Sequence, residues 1–221
     1  MIEIVKLVAE YGILVVIGGV FVALTISMFK KQQDLIERLL NEKIKQGEHP
    51  SGEDVEVLDE INDKIYQEMR GIMNDLSADR SYVFLYHNGG SSTSGLFFQR
   101  MSCICEVVNL GILPMVDSRQ GLHRASYATL CDELKNKEYV AYPDAHSLKG
   151  VDDFIYQEIL SRHAYAVYFK SLVDSNNNVI GFVGVDFCST EEMASEKEIE
   201  KLLRSVSLKI SPLVDIKGSR S

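Results

Sequence analysis

Proline and cysteine are scarce in this chain, which contains four of each among its 221 residues. So little proline excludes a collagen-like or proline-rich protein. Cys103, Cys105, Cys131 and Cys188 show neither a CxxC pair nor a zinc-binding spacing, and four cysteines in a chain of this length do not form a disulfide scaffold. We therefore expect free thiols in a reducing compartment.

Basic residues are outnumbered by acidic ones, 23 against 32, which gives a net charge of −9. Residues 1–50 hold six of each sign, so the whole imbalance lies in residues 51–221, with 17 basic and 26 acidic residues. An acidic domain repels a phosphate backbone, and we therefore expect no nucleic-acid partner. The composition, 46% hydrophobic and 25% charged, is typical of a globular protein.

Catalytic and nucleotide-binding signatures are also missing, since the chain contains no GxxxxGKS/T, GxGxxG, HExxH or GxSxG motif. We predict that the protein is not an enzyme, and we assign no catalytic residue, metal ligand or cofactor. A local basic cluster of Arg119, His123 and Arg124 could hold an anion or form a solvated loop. Glu106 and Asp186 could pair across strands, but the sequence gives no distance between them.

A run of 19 uncharged residues, Tyr11–Phe29, stands out near the N-terminus. As a helix rising about 1.5 Å per residue it spans roughly 28 Å, close to the hydrocarbon thickness of a bilayer. The acidic residues before the run and the KKQQ sequence after it do not match a cleaved signal peptide. We predict a single-pass anchor over residues 1–30. More lysines follow the run than precede it, which predicts an inner (cytoplasmic) membrane protein whose large domain lies in the cytoplasm.

Residues 31–55 are predicted to form a helical stalk or linker, because apolar residues recur at i and i+4 from Leu35 to Ile44. The Gly47–Pro50 segment interrupts this helix. Within the membrane run, Gly19 and Ala23 favour close contacts between helices. We therefore expect a homo-oligomer that forms through the transmembrane helix and the stalk.

A second helix, over residues 54–76, is predicted by an apolar stripe with spacings of 3, 4, 4, 3 and 4. The stripe consists of Leu58, Ile61, Ile65, Met69, Ile72 and Leu76. It can be a coiled-coil seam between two copies or the side of the helix that packs on its own domain's sheet. We favour a mixed role, with packing on the sheet and a contribution to a dimer seam.

The remaining pattern predicts an α+β domain over residues 56–214, with an antiparallel sheet and flanking helices, followed by a tail over residues 215–221. Predicted strands cover residues 80–87, 96–108, 139–142, 164–173 and 179–188, and predicted helices cover residues 125–137, 151–162 and 191–214. The five polar residues 174–178 indicate a β-hairpin, which argues against a doubly wound parallel sheet. The two terminal helices can lie together on one face.

The strand predicted over residues 96–108 alternates between two kinds of side chain. Phe97, Met101, Cys103, Cys105 and Val107 are expected to point to one face, and Phe98, Arg100, Ser102, Ile104 and Glu106 to the other. The first face is apolar and suits packing on helices. The second face is mixed and suits the lining of a pocket.

Three stretches of the chain resemble parts of a GAF domain. VIGFVGVDF, which follows a polar turn, and AVYFKSLV before that turn look like its end, and ADRSYVFLYHNGG looks like its start. The resemblance covers roughly residues 56–214 and implies a GAF/PAS-like fold and a small-molecule-binding or dimerising regulatory module. The pairing of an N-terminal anchor with YHNGG is also similar to phage-encoded membrane proteins, some of them holin-like.

In GAF domains the ligand lies over the sheet, opposite the terminal helices. Carried onto this chain, the resemblance implies a pocket lined by Tyr86, Phe98, Arg100, Ser102, Glu106, Phe182 and Asp186. His87 joins these candidate ligand-binding residues because it ends a strand beside a glycine loop. The chain has no NKxD-like motif and no cysteine in the usual pigment position, and so departs from the cyclic-nucleotide and tetrapyrrole binders of the family.

These features together predict a membrane-anchored, GAF-like sensory or interaction module. It would bind a small molecule or a protein partner and dimerise through its N-terminal helices. The alternative is a phage holin-like lysis protein with a soluble regulatory domain.

Overall fold

The computed structural model describes residues 52–91, 97–189 and 193–215. The chain divides into two units between Val55 and Glu56, and the second unit contains the whole sheet. The predicted anchor and residues 31–51 of the predicted stalk lie outside the described residues. In the ranges that are described, no helix combines the length and the apolar character that crossing a bilayer requires.

Six strands form one antiparallel sheet in the order β3-β2-β1-β6-β5-β4. They are β1 (Arg80–Ser91), β2 (Phe97–Val108), β3 (Leu122–His123), β4 (Tyr139–Tyr142), β5 (Ala166–Val173) and β6 (Val179–Phe187). The helices are α1 (Gly52–Asp75), α2 (Ala128–Lys137), α3 (Asp153–Ser161) and α4 (Glu196–Val214), with 3₁₀ turns at Asp117–Arg119, Arg124–Tyr127 and Ala145–Leu148. The predicted α+β domain with an antiparallel sheet and flanking helices is confirmed.

The terminal helices α1 and α4 pack on the same face of the sheet, as predicted. From the stripe of α1, Ile65 and Met69 are buried in one core with Ile199 and Leu203 of α4. Leu58, at the start of the stripe, is 36% exposed. Only the later part of the stripe therefore packs fully on the domain's own sheet.

The opposite face of the sheet is covered by α2, α3 and the 3₁₀ turns. Its core is aromatic: the rings of Phe84 and Phe182 stack with centroids 5.0 Å apart, and Phe169 meets Phe182 edge-on at 5.6 Å. Offset stacks and edge-to-face pairs are the arrangements that aromatic quadrupoles favour. The domain therefore has three layers, with a separate apolar core on each side of the sheet.

The predicted side-chain alternation along β2 is wrong beyond Cys103. Val83 pairs with Cys105 and Phe84 pairs with Cys103, so Ile104 is an extra residue in the ladder, which is a β-bulge. The bulge reverses the alternation. Met101 and Cys103 therefore lie in the aromatic core, whereas Cys105 and Val107 pack in the α1/α4 core.

The predicted hairpin at the end of the sheet is confirmed, with β5 and β6 paired antiparallel. Asp174 organises the turn by accepting hydrogen bonds from the backbone N–H groups of Asn176 at 2.9 Å and Asn178 at 2.7 Å. Asn177 adopts a left-handed conformation with φ of 62°, which asparagine tolerates better than most residues. A polar five-residue loop therefore sets the register of two largely buried strands.

Candidate functional site

Arg80 at the start of β1 is the centre of a buried ion network on the α2/α3 face. Its Nε lies 2.9 Å from Glu106 Oε1, an ion pair without hydrogen-bond geometry, and its Nη1 donates to Asp186 Oδ2 at 3.1 Å. Arg80 Nη2 donates to the Leu113 carbonyl at 3.0 Å, and Glu106 Oε2 accepts from the Met115 N–H at 2.7 Å. Buried charges cost little only when they are paired and hydrogen-bonded, and each of these charged groups has both kinds of contact.

Asp186 connects this network to Tyr82 and Arg162. The Tyr82 hydroxyl donates to Asp186 Oδ1 at 2.8 Å, and Arg162 Nη1 donates to Tyr82 Oη at 3.1 Å. Burial raises the pKa of Tyr82, and the neighbouring Asp186 carboxylate raises it further, so the phenol stays protonated. Burial alone would lower the pKa of Arg162, but Asp186 and Tyr82 outweigh it and raise this pKa above its ordinary value.

A third buried arginine, Arg119, ends a 3₁₀ turn beside this network. Its Cζ lies 4.9 Å from the ring centroid of Tyr82 and 5.0 Å from that of Phe84, so the guanidinium faces two aromatic rings. Its carboxylate partner is loosely placed, with Nη2 3.9 Å from Glu158 Oε1. Arg119 Nε and Nη1 have no acceptor among the described residues, although the residue is only 5% exposed.

Arg119 and Arg162 line a small space that we call the arginine cavity. Its volume is about 20 Å³, and its walls are Phe84, Met101, Arg119, Leu122, Tyr127, Leu130, Ile155, Glu158, Ile159, Arg162, Phe169 and Phe182. Arg162 Nε also has no acceptor within the described part of the chain. The cavity therefore combines apolar walls with three guanidinium nitrogens that have no acceptor among the residues that the structure describes.

Glu158 of α3 is the acidic residue of the arginine cavity. Its side chain is 26% exposed, so it borders both the cavity and the solvent. Burial raises the pKa of Tyr127, and the nearby negative charge of Glu158 raises this pKa further. Glu158 is thus the counter-charge of Arg119 and lies close to Tyr127.

A second, open concavity of about 370 Å³ lies between the edge of the sheet and the start of α2, and we call it the outer cleft. It is lined by Gln99, His123, Arg124, Ala125, Ala128, Cys131 and Asp132. Arg124 Cζ lies 3.8 Å from the ring centroid of Tyr86, and Arg124 Nη1 donates to Gln99 Oε1 at 2.8 Å. Across the described ranges, no three or more His, Cys, Asp or Glu side chains converge on a metal position.

Comparison with known proteins identifies the fold. No protein-family model matches the chain, and no curated protein matches it in sequence. Among solved structures, a far-red cyanobacteriochrome photoreceptor matches 84% of this chain and 96% of its own, with a TM-score of 0.55 and 12% identity. The fold is that of a GAF domain.

Two further solved GAF domains show the same similarity. The blue-light absorbing form of the PixJ GAF domain of Thermosynechococcus elongatus matches 74% of this chain and 92% of its own, with a TM-score of 0.54 and 14% identity. The phycoerythrobilin-bound GAF domain of a cyanobacterial phytochrome matches 83% and 94%, with a TM-score of 0.54 and 11% identity. The TM-scores support the GAF fold, whereas identities this low leave the ligand open.

Four of the predicted pocket residues lie on the α2/α3 face of the domain. Phe182 lines the arginine cavity, and Tyr86 lies beneath Arg124 at the outer cleft. Glu106 and Asp186 line neither the arginine cavity nor the outer cleft, and both carboxylates are bound by Arg80. The two acids are thus joined through one arginine rather than paired with each other.

Three other predicted residues lie on the opposite face, because they precede the bulge in β2 or face residues that do. His87 Nε2 is 2.8 Å from Ser102 Oγ, and Arg100 Nη1 donates to the Gly121 carbonyl at 2.7 Å. These contacts fasten β2 to β1 and to the approach to β3. The side chain of the eighth residue, Phe98, lies outside the described part of the chain.

The sequence does not single out Arg119 or Arg162, the two arginines of the arginine cavity, as lining a pocket. The sequence places Arg119 in a local basic cluster, but the residue is buried, whereas Arg124 of the same cluster lies at the outer cleft. Arg162 directly follows α3 and carries no motif. Aromatic residues next to an arginine in the sequence could have indicated such a contact. The rings that contact Arg119 belong to β1, however, and are therefore distant from it in the sequence.

Proposed function

We propose that this GAF domain is a sensory module that binds a small molecule in the arginine cavity. The observation that supports this function is the lining of the cavity, in which two buried arginines and one glutamate meet apolar and aromatic side chains. Ligand sites combine apolar walls with a few converging polar groups in this way. The position between the sheet and the helices opposite α1 and α4 matches the ligand position that the family resemblance implies.

The ligand is expected to be small. One solved GAF relative is bound to phycoerythrobilin, whereas pockets for ligands of drug size typically have about 300 Å³ or more. The arginine cavity, at about 20 Å³, has room for about one water-sized group before any side chain moves. A pigment is therefore a poor candidate, which agrees with the missing cysteine at the usual pigment position.

A path for the signal leads from the cavity to α1. Tyr82 contacts both Arg119 and Arg162, and it is adjacent in β1 to Ser81. The Ser81 hydroxyl donates to the Met69 carbonyl of α1 at 2.8 Å in the buried interior. We expect ligand binding to shift α1 through this contact, because the hydrogen bond joins β1 directly to α1.

A cavity-filling variant tests the ligand site. In Leu122→Phe the larger ring would occupy part of the arginine cavity, and in the control, Leu208→Phe, the change lies on the exposed side of α4. We expect a screen of small metabolites against the full chain to yield a compound that raises the melting temperature of wild type and of Leu208→Phe, but not of Leu122→Phe. Equal stabilisation of all three proteins would exclude the arginine cavity as the site.

Membrane anchoring through Tyr11–Phe29 is part of the same proposal and rests on the hydropathy of that run. A lysine in the middle of the run, Ile17→Lys, is expected to release the chain from carbonate-washed membranes. The control is Leu208→Lys, which adds the same charge on the exposed side of α4. Retention of Ile17→Lys in the membrane fraction to the wild-type extent would contradict the anchor.

We also propose that two copies associate through the predicted stalk and the outer side of α1. Leu58 and Tyr66 of α1 are 36% and 42% exposed, so the domain itself leaves apolar surface of both side chains uncovered. Leu58→Glu is expected to weaken self-association of the full chain in sedimentation experiments, whereas Leu208→Glu on α4 is not. Identical sedimentation of both variants and wild type would argue against a seam on α1.

A further inference from the structure

We propose that the ligand of the arginine cavity is a small monocarboxylate, and that its carboxylate replaces Glu158 as the counter-charge of Arg119. This inference rests on the proposed function, because it names the chemical class of the molecule bound there. Three features of the cavity support it: its unused donors, its charge balance and its shape.

The donors of the cavity are unusual for a protein interior. Arg119 Nε, Arg119 Nη1 and Arg162 Nε are buried without an acceptor in the described residues. Buried polar atoms of native proteins almost always have a partner, so a cluster of three around one cavity needs an explanation. A carboxylate has two oxygens with about four acceptor positions, and it matches the planar fork of a guanidinium.

The charge balance selects one negative charge. Three buried arginines face three acids in this region, and two of the arginines, Arg80 and Arg162, have a carboxylate oxygen within 3.2 Å. Among the described residues, the carboxylate that pairs with Arg119 is that of Glu158, at the longer distance of 3.9 Å. The Glu158 side chain is already partly exposed and could turn fully into the solvent. Arg119 would then need one other negative charge as its partner. A monoanion restores neutrality, and a dianion would leave an excess charge buried.

The shape of the site selects a carboxylate with a short apolar body. If the Glu158 carboxylate moved away from Arg119, it would leave a space of the size of a carboxylate. The Tyr127 hydroxyl, which lies close to Glu158, could then donate to the ligand. Met101, Leu122, Leu130 and Ile155 form the apolar walls next to it. With about 20 Å³ of additional space, only a body of very few carbon atoms fits.

Acetate and its uncharged analogue acetamide test this inference, because they share a shape and differ in charge. The full chain would be labelled with ¹³C at the methionine methyl groups and titrated with each compound at constant ionic strength. Met101 lines the cavity and reports on binding there, and Met73 and Met193, which are not among the cavity residues, serve as internal references. The Met101 signal would be assigned with Met101→Leu.

Two variants are expected to change the acetate affinity in opposite directions. Arg119→Met should weaken acetate binding by about tenfold or more, because it removes the charged donors. Glu158→Gln should strengthen binding by about threefold or more, because it removes the competing charge and keeps an oxygen for Tyr127. Arg204→Met and Glu60→Gln, at exposed positions on α4 and α1, are the matched controls and should bind as wild type does.

Support requires a saturable shift of the Met101 methyl with acetate, a weaker response to acetamide, and opposite effects of the two variants. The inference is overturned if acetamide binds as well as acetate, if Met101 does not respond to acetate, or if Glu158→Gln weakens binding. If Arg119→Met does not fold, Arg119→Lys, which keeps the charge and loses the fork, must bind acetate more weakly than wild type. A neutral compound that binds wild type but not Leu122→Phe would refute the monocarboxylate and leave the proposed function intact.

Discussion

The guanidinium of Arg80 and the carboxylate of Asp186 face each other in register across β1 and β6, with Nη1 and Oδ2 3.1 Å apart. Both side chains are almost wholly inaccessible, at 2% and 0% exposure. Asp186 also holds Tyr82 and Arg162, so one carboxylate fixes groups from β1 and from the end of α3. The arginine cavity has this carboxylate as its rigid support.

Asp186→Asn is expected to destabilise the protein strongly. The change leaves Arg80 and Arg162 buried with one fewer negative charge, and breaking a buried ion pair typically costs about 3–5 kcal/mol. Denaturant unfolding of the full chain would measure the loss. Asp63→Asn, at an exposed position of α1, should change the free energy of unfolding by less than about 0.5 kcal/mol. A loss no larger than that of the control would mean that the network does not support the fold.

Gly184→Ala is expected to be destabilising because the added methyl would overlap the ring of Tyr82. Tyr82 cannot move aside, since its hydroxyl is held by Asp186 and Arg162. We expect a loss of about 1–3 kcal/mol, as for other overpacked cores. Gly71→Ala is the opposite case, because a Cβ at this α1 position meets nothing within 4 Å. It should stabilise the helix by about 0.5–1 kcal/mol. Thermal unfolding of both variants would check the contrast in sign.

The thiols of β2 are expected to be unreactive in the folded protein. Burial raises the pKa of Cys103 to about 12 and that of Cys105 to about 11, in both cases aided by the charge of Glu106. Only the thiolate reacts, so alkylation of Cys105 by iodoacetamide at pH 8 should be about 100-fold slower than in the unfolded chain. Mass spectrometry of alkylated peptides would measure both rates, and equal rates would contradict the burial.

The raised pKa values of the same thiols predict how the free energy of unfolding changes at alkaline pH. Below about pH 8.5 they are neutral in both states, and above it the unfolded chain ionises first. The free energy of unfolding is therefore expected to fall as the pH rises from about 8.5 towards the folded-state pKa values. Replacing Cys105 with Ala should make this fall shallower, and an unchanged slope in Cys105→Ala would remove that thiol as its cause.

The hairpin turn is expected to weaken in acid. Hydrogen bonds from the Asn178 side chain and backbone, and from the Asn176 backbone, lower the pKa of Asp174. The stabilisation is fully present above the unfolded value of about 3.9 and is lost as the pH falls through the folded-state pKa. Hydrogen exchange of the β5–β6 amides between about pH 5 and pH 2 would follow the loss. The side chain of the Asp174→Asn variant cannot titrate, so the same pH response in that variant would exclude protonation of Asp174 as the cause.

Much of the fold could be predicted because it depends on local patterns. The stripe of α1, the polar turn 174–178 and the apolar side of α4 each fall within a few turns or strand residues of the chain. Boundaries are less accurate: the sequence predicts the last helix from Glu191, whereas it begins at Glu196, and the predicted helix 125–137 starts with a 3₁₀ turn. The two-residue strand β3 is not predicted, because its pairing with β2 has no local signature.

The candidate site is harder to predict, because its members come from distant parts of the chain. One bulged residue, Ile104, moves Arg100 and Ser102 to the face opposite Glu106. The alternation of apolar and polar residues in the sequence does not indicate such a bulge. The predicted pocket lining therefore mixes residues of both faces of the sheet. Likewise, the sequence around Arg119 is typical of a loop, and its contacts with the rings of β1 exist only in the folded domain.

The amino-acid sequence alone determined which elements form: an acidic α+β domain with an antiparallel hairpin and two amphipathic terminal helices. Those features follow from side-chain periodicity and turn chemistry, which act between neighbours in the chain. The tertiary structure alone decided which charges meet, since Arg80, Arg119 and Arg162 reach Glu106, Glu158 and Asp186 only after the sheet has formed. Burial then gives these contacts their energy, because a charge removed from water must find its partner inside the protein.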